Sequence, residues 1–196
     1  MLILASQSPT RSALLHNAGI AFKAVPARVN ERDIEAAGPV EHRSAAAVAA
    51  RLAEAKALSV PGEFVIGADQ VLELDGTILH KASDLAEART RLDELRGRTH
   101  QLHAAVALAK DGAIVWETVV SAQLTMRDFS AAEREAVLAA EGEAVLGSVG
   151  AYRIEGPSIH LFASVEGDYF SILGLPLLPL LAALREHAPE ALERFT

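Results

Sequence analysis

The chain opens with a four-residue apolar run, Leu2 to Ala5, followed by the small polar residues Ser6, Gln7 and Ser8. The run has the length of a buried strand. Ser8 stands where a helix N-cap belongs, and Pro9 occupies the first turn, where proline lacks no needed hydrogen bond. Leu14, Leu15 and Ala18 form an apolar face, and Gly19 marks the stop. The pattern predicts a strand, a tight polar turn and a capped helix. A short strand follows at Ala21–Ala27, and then a polar stretch, Arg28–Pro39, which carries Glu31, Arg32, Asp33 and Glu35. A helix is expected from Val40 to Leu58, with Val48, Leu52, Ala55 and Leu58 on one face and Lys56 near its end, before Pro61-Gly62 breaks it.

The run Phe64 to Leu72 is almost continuously apolar, as in a central strand covered on both faces. Asp69 interrupts it. A lone carboxylate there is costly to bury unless it is paired, protonated or bound to metal. Asp75-Gly76 is a hairpin turn leading into a strand at Thr77–His80 and then Lys81. Ser83 or Asp84, with Glu87, caps a helix that ends near Arg96-Gly97. Strands at His100–Ala109 and Ala113–Met126 flank the turn Asp111-Gly112. Ser130 and Glu133 form a second capping box, for a helix to about Ala140. Gly142, Gly147 and Gly150 mark a loop. Ala151–Ile154, Ser158–Val165 and Tyr169–Leu173 read as strands, with Glu166-Gly167-Asp168 as a turn. An apolar helix begins at Gly174-Leu175-Pro176, ends near His187, and leaves a frayed tail. The order lacks regular βαβ alternation, so a mixed or mostly antiparallel sheet with packed helices is expected, in a single domain spanning residues 1–196.

Composition narrows the function. The chain has 196 residues, 51% of them hydrophobic and 22% charged, with no cysteine and a formal charge of −8. Disulfides and cysteine-ligated metals are excluded. The charge argues against binding nucleic acid or an anionic membrane, though not against a local cationic pocket for a polyphosphate. No signal peptide or membrane span is expected. Walker A, dinucleotide-binding and nucleophile-elbow patterns are absent. His100 and His103 would lie on opposite faces of a strand, which disfavours a metal site there. His16, His42 and His187 read as surface helix residues.

Arg11, Glu31, Lys56, Asp69 and Lys81 remain, at the edges of apolar elements. Each alone is ordinary surface charge. Together they have the composition of a metal-assisted phosphoryl-transfer site, with carboxylates to hold a cation and take a proton from water, and cations and helix-start amides to neutralise phosphate.

The ordered motifs identify a family. Leu4-Ala5-Ser6-Gln7-Ser8-Pro9-Thr10-Arg11 is followed by Val29-Asn30-Glu31, Arg51-Leu52-Ala53 with Lys56, and Gly67-Ala68-Asp69-Gln70. Lys81, Leu95-Arg96-Gly97 with His100, Gly150 to Gly156, Gly167-Asp168-Tyr169 and Gly174-Leu175-Pro176 complete the series. Over nearly its whole length the chain resembles the Maf family of nucleoside triphosphate pyrophosphatases. The resemblance implies an α/β fold like that of inosine triphosphatases, with an elongated mixed sheet and two lobes around a deep cleft. It implies a cytoplasmic enzyme, often a homodimer, that uses Mg²⁺ or Mn²⁺ and cleaves the α–β phosphate bond of its substrate. Asp69 matches the family's proton acceptor. Ser6, Arg11, Lys56 and Lys81 match the phosphate-binding positions, to which the helix start at Ser8 adds its own group, and Glu31 joins Asp69 on the metal side.

Thr10, Gln70 and Glu155 bear on base choice. The dTTP and UTP pyrophosphatase branch has arginine, threonine and glutamine at these positions, and the 7-methyl-GTP branch has tryptophan, glutamine and glutamate. Gln70 and Glu155 agree with the second and Thr10 with neither. A carboxylate at 155 suits the N1–H and amino donors of guanine, so the expected substrate is a purine or modified purine nucleotide. The alternatives are a dTTP/UTP pyrophosphatase and a cell-division regulator that binds without turnover.

Overall fold

A computed structural model describes residues 1–37 and 44–195, the side chains of 193–195 excepted. Among these residues, seven strands, β1 (Leu2–Leu4), β2 (Lys23–Ala24), β3 (Phe64–Leu74), β4 (Thr77–Leu79), β5 (Thr99–Lys110), β6 (Ala113–Met126) and β7 (Phe162–Glu166), form a mixed sheet in the order β2-β1-β3-β5-β6-β7, with β4 paired to β3. The chain divides into two compact units, each assembled from separated stretches. The first comprises Met1–Gln70, His103–Val120 and the chain from Asp168 onward, and the second comprises Val71–Leu102 and Ser121–Gly167. Three long strands, β3 (Phe64–Leu74), β5 (Thr99–Lys110) and β6 (Ala113–Met126), contribute residues to both units.

In the first unit β1 (Leu2–Leu4) runs parallel to β2 (Lys23–Ala24) and to β3, with Leu2 opposite Phe64 and Leu4 opposite Ile66. The helix α1 (Pro9–Asn17) has Ser8 as its N-cap, and Leu14 and Leu15 are buried, which stabilises the helix by roughly 2 kcal/mol each. They join Leu2, Leu4, Ile66, Val106 and Leu108 in one core, closed by Leu177, Leu180 and Leu184 of α7 (Leu177–His187). The expected strand at Ala21–Ala27 shrinks to the two residues of β2. The polar stretch after it contains a short helix, α2 (Glu31–Ala36).

The next helix, α3 (Ala45–Leu58), is capped by Ser44, whose side chain accepts from the Ala47 amide. The predicted start at Val40, like His42, lies outside the described residues. The buried face also differs from the expected one. Val48 and Leu52 point inward as expected, but Ala49, Ala53 and Ala57 complete the face, while Ala55 is half-buried and Leu58 is exposed. Small side chains win because this helix lies very close to β3.

In the second unit the end of β3 pairs antiparallel with β4 (Thr77–Leu79) through the Asp75-Gly76 turn. The helices α4 (Leu85–Leu95) and α5 (Ala131–Glu141) start at Asp84 and Ser130, and Ser130 with Glu133 makes the predicted capping box. In α4 the reciprocal bond shifts by one residue, because the Glu87 carboxylate accepts from the amide and hydroxyl of Ser83. β7 (Phe162–Glu166) lies antiparallel to β6. Ala151–Ile154 is not a strand. It forms bends and turns, with Ala151 at φ 56° and Tyr152 buried. Pro157–Leu161 is a 3-10 turn, so the expected strand at Ser158–Val165 begins only at Phe162.

Back in the first unit, Tyr169–Leu173 is also not a strand. The Asp168 carboxylate accepts from the amide and hydroxyl of Ser171 and caps a four-residue helix, α6 (Tyr169–Ile172). Among the described residues no helix is long and apolar enough to cross a membrane.

Tyr152 and Phe162 pack around His100 in the second unit, and His100 Nε2 lies 2.8 Å from the Tyr152 hydroxyl. His100 Nδ1 is buried without a hydrogen-bond partner among the described residues. A proton added here would face neither water nor an acceptor, and burial lowers the His100 pKa from 6.5 to about 4. The unfolded chain therefore takes up this proton at a higher pH than the folded one. The contribution to stability is intact above pH 6.5 and declines as pH falls, by roughly 3 kcal/mol when pH 4 is reached. Denaturant titrations between pH 7.5 and 4 should show a shallower decline in His100→Phe than in the wild type.

Candidate active site

Gly67 and Asp69 are two apart on β3 and therefore share a face. That face meets α3. The close approach is possible because residue 67 has no side chain, since a Cβ there would lie 2.0 Å from the Ala53 carbonyl oxygen and 2.4 Å from the Ala57 amide nitrogen. Lys56, beside Ala57 on the helix, is thereby brought to Asp69. Its ammonium pairs with Asp69 Oδ1 and, at 2.7 Å, with Glu31 Oε1 of α2. Lys56 and Asp69 are buried, while the Glu31 side chain is about half exposed. The cost of placing Asp69 in an apolar strand is thus met by an ion pair. Two carboxylates flank one ammonium, and one of the three groups reaches solvent.

The turn from β1 to α1 belongs to the same unit. Ser6 Oγ accepts from the Ser8 amide at 3.1 Å, and Ser8 Oγ accepts from the Arg11 amide at 3.3 Å. Both hydroxyls keep their own proton to donate. Arg11 Nε donates to the Gly174 carbonyl at 2.8 Å, which ties the turn to the segment between α6 and α7. Burial lowers the pKa of Arg11 from its ordinary value, while the charges of Asp69 and Glu31 act to raise it. Arg11 therefore lies within the field of the carboxylates that hold Lys56. Thr10 occupies the first turn of α1 and is half-buried.

Gln70 has its amide nitrogen engaged with backbone. Its amide nitrogen donates to the carbonyls of Ser171 and Ile172 at 3.0 and 2.9 Å. Gln70 and Arg11 together hold the backbone from Ser171 to Gly174, and the donors of Gln70 are committed to that work.

Lys81 and Glu155 lie in the second unit. Lys81 is exposed just beyond β4, and the preceding carbonyl, of His80, accepts a 2.6 Å bond from the buried Arg91. Glu155 pairs through Oε1 with Arg153 Nε at 3.2 Å. Sequence reasoning missed Arg91, Arg153 and Glu141, a buried carboxylate at the end of α5. Their signal was faint, since charged residues on amphipathic helices, as Arg91 and Glu141 are, read as solvated, and Arg153 lies on irregular backbone where no periodicity marks it. It also missed a second acidic contact on α3, where Glu54 hydrogen-bonds Glu117 of β6. Burial, the shared hydrogen bond and the charge of Glu117 push the Glu54 pKa up to about 7, against an opposing effect of Arg51.

The first unit thus presents a buried lysine between two carboxylates, beside an arginine and a serine-capped helix start. The arginine and the helix-start amides are groups that can bind an anion. The family model described as Maf-like protein matches residues 1–187. A nucleoside triphosphate pyrophosphatase of Nitrobacter hamburgensis is 53% identical over 188 residues, covering 94% of this chain and 92% of that one. A protein of the same name from Nitrobacter winogradskyi is 50% identical over 188 residues, with the same coverage. A 7-methyl-GTP pyrophosphatase of Brucella abortus is 50% identical over 188 residues, 94% of each chain. Among solved structures, a nucleoside-triphosphatase (dITP/XTP pyrophosphatase) from Mycobacterium abscessus is 14% identical, covers 97% of this chain and 95% of that one, and has a TM-score of 0.39, a likeness too slight to add weight. The chain belongs to the Maf family.

Proposed function

We propose that the protein is a nucleoside triphosphate pyrophosphatase that hydrolyses the α–β phosphate bond of a purine nucleotide resembling 7-methyl-GTP. The observation that carries this reading is the buried Lys56 ammonium between Asp69 and Glu31. The names of relatives at about 50% identity support it.

In this reading a water oxygen attacks the α-phosphorus, the bond from that phosphorus to the bridging oxygen breaks, and pyrophosphate leaves. Asp69 takes the water proton. The triphosphate gives Lys56 an alternative anionic partner and so frees the Asp69 carboxylate. Arg11 and the hydroxyls of Ser6 and Ser8 hold the phosphate oxygens, with the amides at the start of α1, and Lys81 is added on the family resemblance alone. Glu31 and Asp69 are hard oxygen donors of the kind Mg²⁺ and Mn²⁺ take, and both carboxylates are held by the Lys56 ammonium, which the substrate phosphates would draw away. They would hold the ion, which when bound withdraws charge from the phosphate oxygens.

For base choice, Gln70 has its amide donors committed to Ser171 and Ile172 and keeps its carbonyl oxygen as an acceptor, alongside Thr10 and Glu155. The Glu155 carboxylate would accept from guanine N1–H and its amino group. A panel of dTTP, UTP, GTP and 7-methyl-GTP with Mn²⁺ or Mg²⁺, assayed for pyrophosphate, tests the reading. Release from the purine members first is expected. Release from dTTP and UTP alone would overturn the purine assignment, and no release from any would overturn the activity.

A further inference from the structure

We infer that Arg153, itself fixed by the buried carboxylate of Glu141, is a positioning residue that sets the Glu155 carboxylate for reading the base. The inference rests on the proposed role of Glu155. Its observation is a continuous chain of charge within the second unit.

Glu141 ends α5 with its side chain only 1% exposed. Its Oε1 accepts from the Ser158 amide at 3.0 Å and the Ser158 hydroxyl at 2.8 Å. Its Oε2 accepts from Arg153 Nη1 at 3.2 Å. The backbone wraps closely over this carboxylate, since a Cβ at Gly156 would lie 2.6 Å from Oε1. The other edge of the same guanidinium reaches out, where Arg153 Nε pairs with Glu155 Oε1 at 3.2 Å. Arg153 thus spans two carboxylates, one inside and one outside.

The arrangement matters because Glu155 sits on irregular backbone. An isolated surface pair such as Arg153–Glu155 is worth little and does not fix two long side chains. Tethering one edge of a rigid planar guanidinium to a buried anion changes that. Most of the rotamer freedom of Arg153 is lost to the Glu141 contact, so its second edge presents Nε in one place. Oε2 of Glu155 stays outside the pair. That oxygen is an acceptor for a donor on the base edge.

The experiment compares kcat/KM for 7-methyl-GTP with that for UTP in four variants, Glu155→Gln, Arg153→Met, Glu141→Gln and the double variant of 155 and 153, with thermal melts of each. Glu155→Gln should lower the purine-to-pyrimidine ratio about tenfold, and Arg153→Met by roughly three- to tenfold, through KM for the purine. Glu141→Gln, which keeps an oxygen for Ser158, should act in the same direction. In the double variant Arg153→Met should add nothing to Glu155→Gln. A merely structural role would lower both substrates together and leave the ratio fixed. A ratio that moves with Glu155→Gln but not with Arg153→Met overturns the positioning role. A ratio unmoved by Glu155→Gln overturns the base-reading role of Glu155, and this inference with it. If Glu141→Gln does not fold, Arg153→Met, on a half-exposed side chain, still decides.

Discussion

Asp69→Asn is expected to lose about 10²- to 10⁴-fold in kcat, the range typical of a removed general base, while its melting curve stays cooperative. The substitution keeps the shape of the side chain and removes its charge and basicity. Removing one partner of a buried pair ordinarily costs about 3–5 kcal/mol, because the other charge is stranded. Here Lys56 keeps Glu31 at 2.7 Å, so the loss in stability should be smaller than that range. Lys56→Met gives the contrasting result. It leaves Asp69 buried in β3 without its ammonium partner and should destabilise more than Asp69→Asn, as well as weakening phosphate binding. Pyrophosphate release and urea unfolding on both variants check the pair of expectations. Wild-type turnover in Asp69→Asn would remove Asp69 from the role of base.

Gly67→Ala carries the second large effect, and it acts on the fold. The added carbon would meet backbone atoms of α3 at 2.0 and 2.4 Å, and neither is the end of a flexible side chain that could swing aside. Ordinary overpacking costs about 1–3 kcal/mol. This clash can be relieved only by moving the helix as a body, so the loss should reach or exceed the top of that range. Moving α3 also withdraws Lys56 from Asp69, so activity should fall in the fraction that still folds. Gly76→Ala is the control. Residue 76 has φ 78°, and a Cβ added there would meet no atom within 4 Å, so only backbone strain of about 1–2 kcal/mol is expected. Urea midpoints for the two variants should separate clearly, and equal midpoints would refute the close packing of α3 on β3.

The candidate site was more legible than the packing that supports it. Ser8, Asp84 and Ser130 announced their helices because side-chain capping is a local event, written within four residues. Asp69 stood out because a carboxylate in an apolar strand demands a partner, and Lys56 supplies it. What pattern alone could not show was which residue answers it, since Lys56 and Glu31 come from different helices. The strands expected at Ala151–Ile154 and Tyr169–Leu173 failed for a different reason. Short apolar runs do not carry a period that separates strand from helix or turn. Tyr152 is buried by packing on His100 and Phe162, and His100 is distant in sequence. Asp168 caps a helix where the sequence predicts a turn. The inner face of α3 departs from its hydrophobic pattern because that pattern favours large apolar residues, whereas close approach to Gly67 selects alanine.

The division of the chain has a consequence for biosynthesis. The second unit has all its residues once Gly167 has been made, whereas the first draws on the opening strand and on α7 near the end of the chain. Leu2 and Leu4, which are made before any of the second unit, share a core with Leu177, Leu180 and Leu184, which are made after it. Domains fold as units during synthesis. The unit that holds Lys56 and Asp69 therefore begins before the second unit and is completed after it.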